Sequence, residues 1–139
     1  MFKNCAVALS FLLPTFALAG NEIDVSCGQS VKAFFEPLVQ RRLIGTKPMS
    51  VEQTTSINHF SPKVFANITV YGMPVRSVFG FTNEPLFFTN TGGDTREVYG
   101  VIVKEGIANV QAQLRSVGVE NAQTFRANDG TTIILCNGE

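Results

Sequence analysis

A chain of 139 residues with eleven basic and eleven acidic side chains carries no formal net charge, and that length suits one domain around one core. The balance argues against a nucleic-acid partner, because binding to a phosphate backbone is built on clustered Lys and Arg. The only adjacent basic pair, Arg41-Arg42, reads as a solvated helix end.

Met1-Phe2-Lys3-Asn4 opens with one positive charge, residues 5–16 are almost wholly apolar, and Ala17-Leu18-Ala19 has the small-x-small form of a cleavage site. The apolar run is too short to cross about 30 Å of hydrocarbon, and Pro14 interrupts it. Residues 1–19 are therefore expected to be a cleaved signal peptide and residues 20–139 a single α+β domain, periplasmic or secreted. Leu18-Ala19-Gly20 has the form of the front of a lipoprotein box, but Asn21 stands where the lipidated Cys is required. No membrane anchor is expected after cleavage. Cleavage removes Lys3 and Cys5, leaving a formal charge of −1 and one pair of cysteines, Cys27 and Cys136. An exported pair near the two ends of the mature chain is expected to form a disulfide. The bond reads as a staple, since no Cys-x-x-Cys accompanies it.

From Ser30 the apolar positions Val31, Phe34, Phe35 and Leu38 recur at i, i+3, i+4 and i+7, which predicts a helix. Pro37 sits inside it. The pattern allows a kinked helix over 30–44 or a break at Glu36 with a new helix from Pro37, and Gly45 closes either version. Residues 46–61 are polar without a clean period. They read as an irregular connection with Val51 and Ile57 as anchors, a short strand within it being the alternative. From Lys63 the alternation of Val64, Ala66, Ile68 and Val70 with Phe65, Asn67, Thr69 and Tyr71 predicts a strand. Gly72-Met73-Pro74 then makes a turn, and residues 75–81 return with Val75, Ser77, Phe79 and Phe81 on one face. Asn83-Glu84-Pro85 breaks the pattern. Leu86-Phe87-Phe88-Thr89 reads as a third strand and residues 90–96 as a loop around Gly92-Gly93-Asp94.

The next stretch is the clearest. Val98-Tyr99-Gly100-Val101-Ile102-Val103 is β-branched and nearly all apolar, as a strand buried on both faces is. Ile107, Val110, Leu114 and Val117 form one apolar stripe on a helix that Gly118 ends, with Val119 packing back on its last turn. Residues 122–126 and 131–135 are strands joined by an Asn128-Asp129-Gly130 hairpin turn. The expected fold is α+β: a mainly antiparallel sheet of five or six strands, one helix from the C-terminal half packed across it, an N-terminal helical segment and the single disulfide. A right-handed crossover lays the strand at 122–126 parallel to that at 98–103. The strand at 131–135 then inserts between them as a split β-α-β unit.

Chemistry is harder to find. His59 is the only histidine; it lies in the least regular stretch, with no nucleophile-elbow motif or free mature cysteine to accompany it. One His and scattered carboxylates do not make a zinc or calcium ligand set, so no metal and no cofactor are expected. Glu84, Asp94, Glu97 and Glu105 lie near turns, where charge ordinarily serves solubility. Gly92-Gly93 lacks the Lys-Ser/Thr and the helix of a phosphate loop. Asn67-Ile68-Thr69 matches a glycosylation sequon, but in mid-strand.

Aromatic content does stand out. Nine of the twelve phenylalanines lie beyond residue 19, six of them from Phe60 to Phe88. Strict alternation cannot put adjacent Phe87 and Phe88 on one face. Either helical segments cover both faces of the sheet, or an apolar strip awaits a partner. The reading is a small exported, non-enzymatic binding protein of the bacterial envelope, acting on a protein target as an inhibitor, immunity-type protein or exclusion factor. Its binding residues are Phe81, Asn83, Glu84, Phe87, Asp94 and Arg96, on the loops at 80–86 and 90–96. The alternatives are a small secreted hydrolase using His59 or the loop carboxylates and a structural subunit of an envelope assembly. Oligomeric state is left open.

Overall fold

Ser30 starts the first helix: its Oγ accepts the Ala33 N–H at 3.0 Å, which satisfies one of the free donors of a helix N-terminus. In the computed structural model, which describes residues 20–93 and 96–139, helix α1 spans Val31–Gln40 and buries Val31, Phe34, Phe35 and Leu38. Pro37 lies inside α1 on its exposed side. It removes the hydrogen bond to the Ala33 carbonyl, and the docked apolar face keeps the helix continuous. The helix stops short of the expected residue 44. Arg42 takes φ 57, and the Leu43 N–H donates to the Leu38 carbonyl at 2.9 Å, so Arg42 and not Gly45 turns the chain.

Eight strands form one mixed sheet among the described residues. They are β1 (Asn21–Ile23), β2 (Ser50–Val51), β3 (Asn58–Phe60), β4 (Ile68–Val70), β5 (Met73–Phe81), β6 (Val98–Val103), β7 (Gln123–Arg126) and β8 (Thr132–Asn137). The order is β1-β4-β5-β6-β8-β7; β3 pairs with the far half of β5, and β2 pairs with β3. β1 runs parallel to β4, while the other pairings are antiparallel. Helix α2 (Ile107–Ser116) follows β6 and buries Val110 and Leu114. Its end matches the sequence reading: Gly118 has φ 76, and the Val119 N–H returns to the Leu114 carbonyl at 2.9 Å. β8 lies between β6 and β7 and is antiparallel to both. The β6-α2-β7 crossover with inserted β8 is the split β-α-β unit expected.

Register assigns the faces. On one lie Val78, Tyr99, Val101, Ile134 and Cys136, paired across strands, and both helices dock there. The Phe34 ring stacks on Tyr99 with centroids 4.7 Å apart. Phe35 of α1 lies over Gly80, where a Cβ would stand 2.6 Å from its ring. Gln111 of α2 donates to Thr124 of β7 at 3.2 Å. The Cys27–Cys136 disulfide ties the segment after β1 to β8 on this same side, with Cα atoms 5.1 Å apart.

Several expectations about the strands also need correction. The strands number eight, because three short ones, β1, β2 and β3, add to the five longer or better patterned; β2 and β3 lie within the stretch read as irregular. Of residues 63–71 only Ile68–Val70 is strand; Val64 and Phe65 are 81% and 97% exposed in a turn. Residues 86–89 form no strand. Asn58 and Ser56 pin this segment instead, through Asn58 Nδ2 to the Thr89 carbonyl at 2.9 Å and Ser56 Oγ to Thr91 Oγ1 at 2.8 Å. Phe87 and Phe88 thereby stack on each other and reach Phe35 and Phe60. Finally, β5 carries a bulge. Val75 pairs with Val103 and Ser77 with Ile102, so the extra residue Arg76 sends Val75 to the helix face and leaves Ser77, Phe79 and Phe81 on the other. The signal-peptide reading falls on residues 1–19, outside the described residues.

Candidate functional site

The face away from the helices is the open one. Following the register across the strands, Ser50, His59, Phe79, Gly100, Leu135 and Gln123 form one row and Ser77, Ile102, Ile133 and Phe125 the next. No helix lies on it among the described residues. Ile102, Ile133 and Leu135 stay half-buried, and Phe125, on edge strand β7, is 47% exposed. Phe79 lies flat across Gly100 and is buried; a Cβ at residue 100 would meet its ring at 2.6 Å and the Ile134 carbonyl closer still. Gly100 thus gives this face its floor.

Three adjoining depressions tile the face. The largest, about 560 Å³, is bordered by His59, Ser50, Ser61, Ser77, Arg76 and Asp129 together with Met49, Ile102 and Ala127. A smaller apolar hollow of about 120 Å³ lies between His59, Phe79, Ile102, Phe125, Ile133 and Leu135. The third, about 410 Å³, runs past Leu135 and Ile57 to Arg96, Val98 and Asn137. An apolar centre with a polar and charged rim is the anatomy of a recognition surface.

The rim is preorganised. His59 Nε2 lies 2.9 Å from Glu52 Oε1, whose other oxygen accepts the Thr55 hydroxyl at 2.7 Å. Burial pushes the Glu52 carboxyl up, but the His59 and Thr55 hydrogen bonds and the attraction of His59 outweigh it and hold the group below its ordinary value. The His59 ring rests 5.7 Å from that of Phe79. At the other end, Arg76 on the bulge makes an ion pair with Asp129 in the β7–β8 turn. Asp129 also accepts the Thr131 N–H at 3.2 Å, which fixes the turn. No group of three or more His, Cys, Asp or Glu among the described residues is placed to hold a metal ion.

The sequence-selected binding residues scatter. Phe81 is 1% exposed, and Phe87 packs 5.5 Å from Phe60 within the aromatic cluster. Asn83 and Glu84 are exposed at the end of β5, their N–H groups bound to Glu97 Oε1 and Thr82 Oγ1. Asp94 lies outside the described residues. Phe81 belongs to the open side by register but is covered, and of those described only Arg96 lines one of its depressions. His59, which the sequence places in an irregular loop, stands in β3 opposite Phe79. The residues that sequence reasoning missed are Glu52, Arg76, Phe79, Ile102, Phe125, Asp129, Ile133 and Leu135. Alternation along β8 marks Ile133 and Leu135 as one face, but nothing in the pattern says that this face goes uncovered.

Comparison with protein-family models, curated proteins and solved structures returns no match to this chain.

Proposed function

We propose that this is a small, exported, non-enzymatic binding protein, periplasmic or secreted, that seizes a protein target on the open face of its sheet as an inhibitor, immunity-type or exclusion protein. The carrying observation is the face that no helix of the described residues covers, with Phe79, Ile102, Ile133, Leu135 and Phe125 as an apolar floor inside the His59–Glu52 and Arg76–Asp129 rim. Such floors exclude water around a few anchors that supply most of the binding energy. The Cys27–Cys136 bond fits an oxidising compartment, and no helix of the described residues is long and apolar enough to cross a membrane. A photo-crosslinker in place of Phe125 should trap the target from envelope extract, and one in place of Val117, exposed beside α2, should not. Leu135→Asp should abolish the capture. Equal capture at both positions, or capture unaffected by Leu135→Asp, would sink the proposal.

A second reading rests on the His59–Glu52 pair. A histidine that borders a depression lined by Ser50, Ser61 and Ser77 and is held from behind by the Glu52 carboxylate is the base-and-orienter half of a hydrolytic site. Hydrolysis of activated esters that disappears in both His59→Ala and a serine variant, with the fold intact, would favour this reading over the first.

A further inference from the structure

Residues 63–66 form a tight turn closed by the Ala66 N–H donating to the Lys63 carbonyl at 2.9 Å. Phe65, its third residue, has φ 72, a conformation that turns reserve for Gly or Asn and that is costly for a bulky side chain. Four other non-glycine residues share a positive φ, and each has a structural return. Arg42 ends α1, Ser56 anchors Thr91, the Asn67 carbonyl accepts the Asn21 N–H at 2.9 Å, and Tyr71 donates its hydroxyl to Asp24 at 2.9 Å. Phe65 has none of these, since its side chain is 97% exposed beside a Val64 that is 81% exposed. A bulky aromatic in glycine's place, held out in solvent, has no partner among the described residues that offsets its strain.

The base of the turn is fixed. The Lys63 N–H donates to the Leu43 carbonyl at 2.8 Å, Ile44 bridges to Pro62, and Asn21 Nδ2 donates to the Ala66 carbonyl. The segment running beside it brings Arg42 and Lys47, and the Lys63 side chain lies along Gly45. Between Glu36 and Glu84 the only acidic residue is Glu52, which His59 and Thr55 already engage; on neighbouring β1, Glu22 stands opposite Thr69 and accepts its hydroxyl. The tip is therefore two apolar side chains next to Lys63, with Arg42 and Lys47 on the adjoining segment.

We propose that this turn is a membrane-contact tip: Phe65 and Val64 enter the interface of an anionic bilayer, while Lys63, Lys47 and Arg42 meet the lipid phosphates. A convex tip of two side chains is too small for a protein interface, which takes about 800 Å² from each partner. A bilayer accepts single aromatic side chains at headgroup depth, adds attraction for each nearby cation, and needs no shaped pocket. Such contact is reversible and peripheral, on a surface distinct from the open sheet face.

The test is co-sedimentation with vesicles of phosphatidylcholine, with and without phosphatidylglycerol, using protein exported and processed by a bacterial host so that all variants share one N-terminus. Wild type should sediment with the anionic vesicles and about tenfold more weakly with neutral ones, or at about 1 M salt, where screening is short-ranged. Phe65→Gly should weaken binding by about tenfold or more without lowering Tm, because glycine relieves the backbone. Since the chain has no tryptophan, Phe65→Trp supplies its own reporter: binding retained, with emission shifted to the blue on anionic vesicles. Wild type that stays in the supernatant, or Phe65→Gly that binds as well as wild type, overturns the proposal. An acidic protein captured through Phe65 by a wild type that ignores lipid would do the same.

Discussion

Removing the Cys27–Cys136 bond should cost this protein a large part of its stability. The bond closes a loop with a sequence separation of 109, for which restriction of the unfolded chain amounts to about 5 kcal/mol. Native bonds in small exported domains return about 2–5 kcal/mol, against a total of about 5–15 kcal/mol. The right perturbation is Cys27→Ala with Cys136→Ala. Cys136 is fully buried, and a serine there would add the separate cost of an unpartnered hydroxyl. With an unfolding entropy of about 0.25 kcal/mol per kelvin for about 120 residues, Tm should fall by about 8–20 °C. The loss should be uneven. β1 is held by a short parallel pairing with β4, and the chain beyond it by the Tyr99 hydroxyl to the Ser26 carbonyl at 2.9 Å. Residues 20–30 should therefore be cut by protease before the β6–β8 module opens. Urea unfolding of wild type, reduced wild type and the double variant measures the difference. A loss below about 1 kcal/mol would refute the entropic reasoning, and two titratable thiols in unfolded, unreduced protein would refute the bond itself.

Gly100→Ala should destabilise by about 3 kcal/mol, because its Cβ meets both the Ile134 carbonyl and the Phe79 ring; Gly45→Ala, with no contact nearer than 4.0 Å, should stay within about 0.5 kcal/mol in the same urea assay. The two tyrosines should both resist ionisation in the folded protein. Burial, then the hydrogen bond to Asp24, raises Tyr71 to about 12, and burial raises Tyr99, so the phenolate absorbance should rise later than in unfolded protein, and stability present below pH ~10 should be lost as pH climbs through those values. Glu52 has the opposite sign: its depressed folded value gives stability that is present above the ordinary carboxylate range and lost as pH falls through the folded value. The gap in urea midpoint between wild type and Glu52→Gln should therefore close in acid, and a gap constant down to pH ~2 would refute it.

The β6-α2-β7-β8 module was legible almost to the residue because its signals agree. An apolar run, a helical stripe, Gly118 and Asn128-Asp129-Gly130 each name one structure, and a right-handed crossover with the last strand inserted between β6 and β7 fits them all. The stretch from Lys63 failed for want of such agreement. Val64 and Phe65 have strand propensity, but propensity describes fit to a half-buried pleat, and the Ile44–Pro62 bridge and Asn21 hold this backbone in a turn. At 86–89 the β signal of Leu86-Phe87-Phe88 was spent on ring contacts with Phe35 and Phe60. Arg76 shows a deeper limit. A period-two pattern read through a bulge inverts one side of it, and nothing in Val75-Arg76-Ser77 announces the extra residue. The candidate face was missed for a related reason: alternation sorts residues into two faces, while which face the helices take is decided by tertiary contacts such as Phe34 on Tyr99.

The two surfaces share a strand. β3 presents His59 to the open face, and the chain leaves β3 directly into the turn that carries Phe65. At about 3.4 Å per residue the intervening backbone spans at most about 20 Å, and the Ile44–Pro62 bridge and the Lys63–Leu43 hydrogen bond keep it from swinging. A tip seated in a bilayer would thus fix the height and tilt of the apolar floor above that bilayer. Confinement to a surface replaces a three-dimensional search by one at raised effective concentration, so a weak face becomes sufficient for a target that is itself membrane-bound. That suits a face whose anchors, Ile102, Ile133 and Leu135, are only half-exposed. If both proposals hold, the strain at Phe65 and the modest depth of the sheet hollow would share one physical explanation: recognition divided between a lipid contact that concentrates the protein and a sheet face that selects its partner.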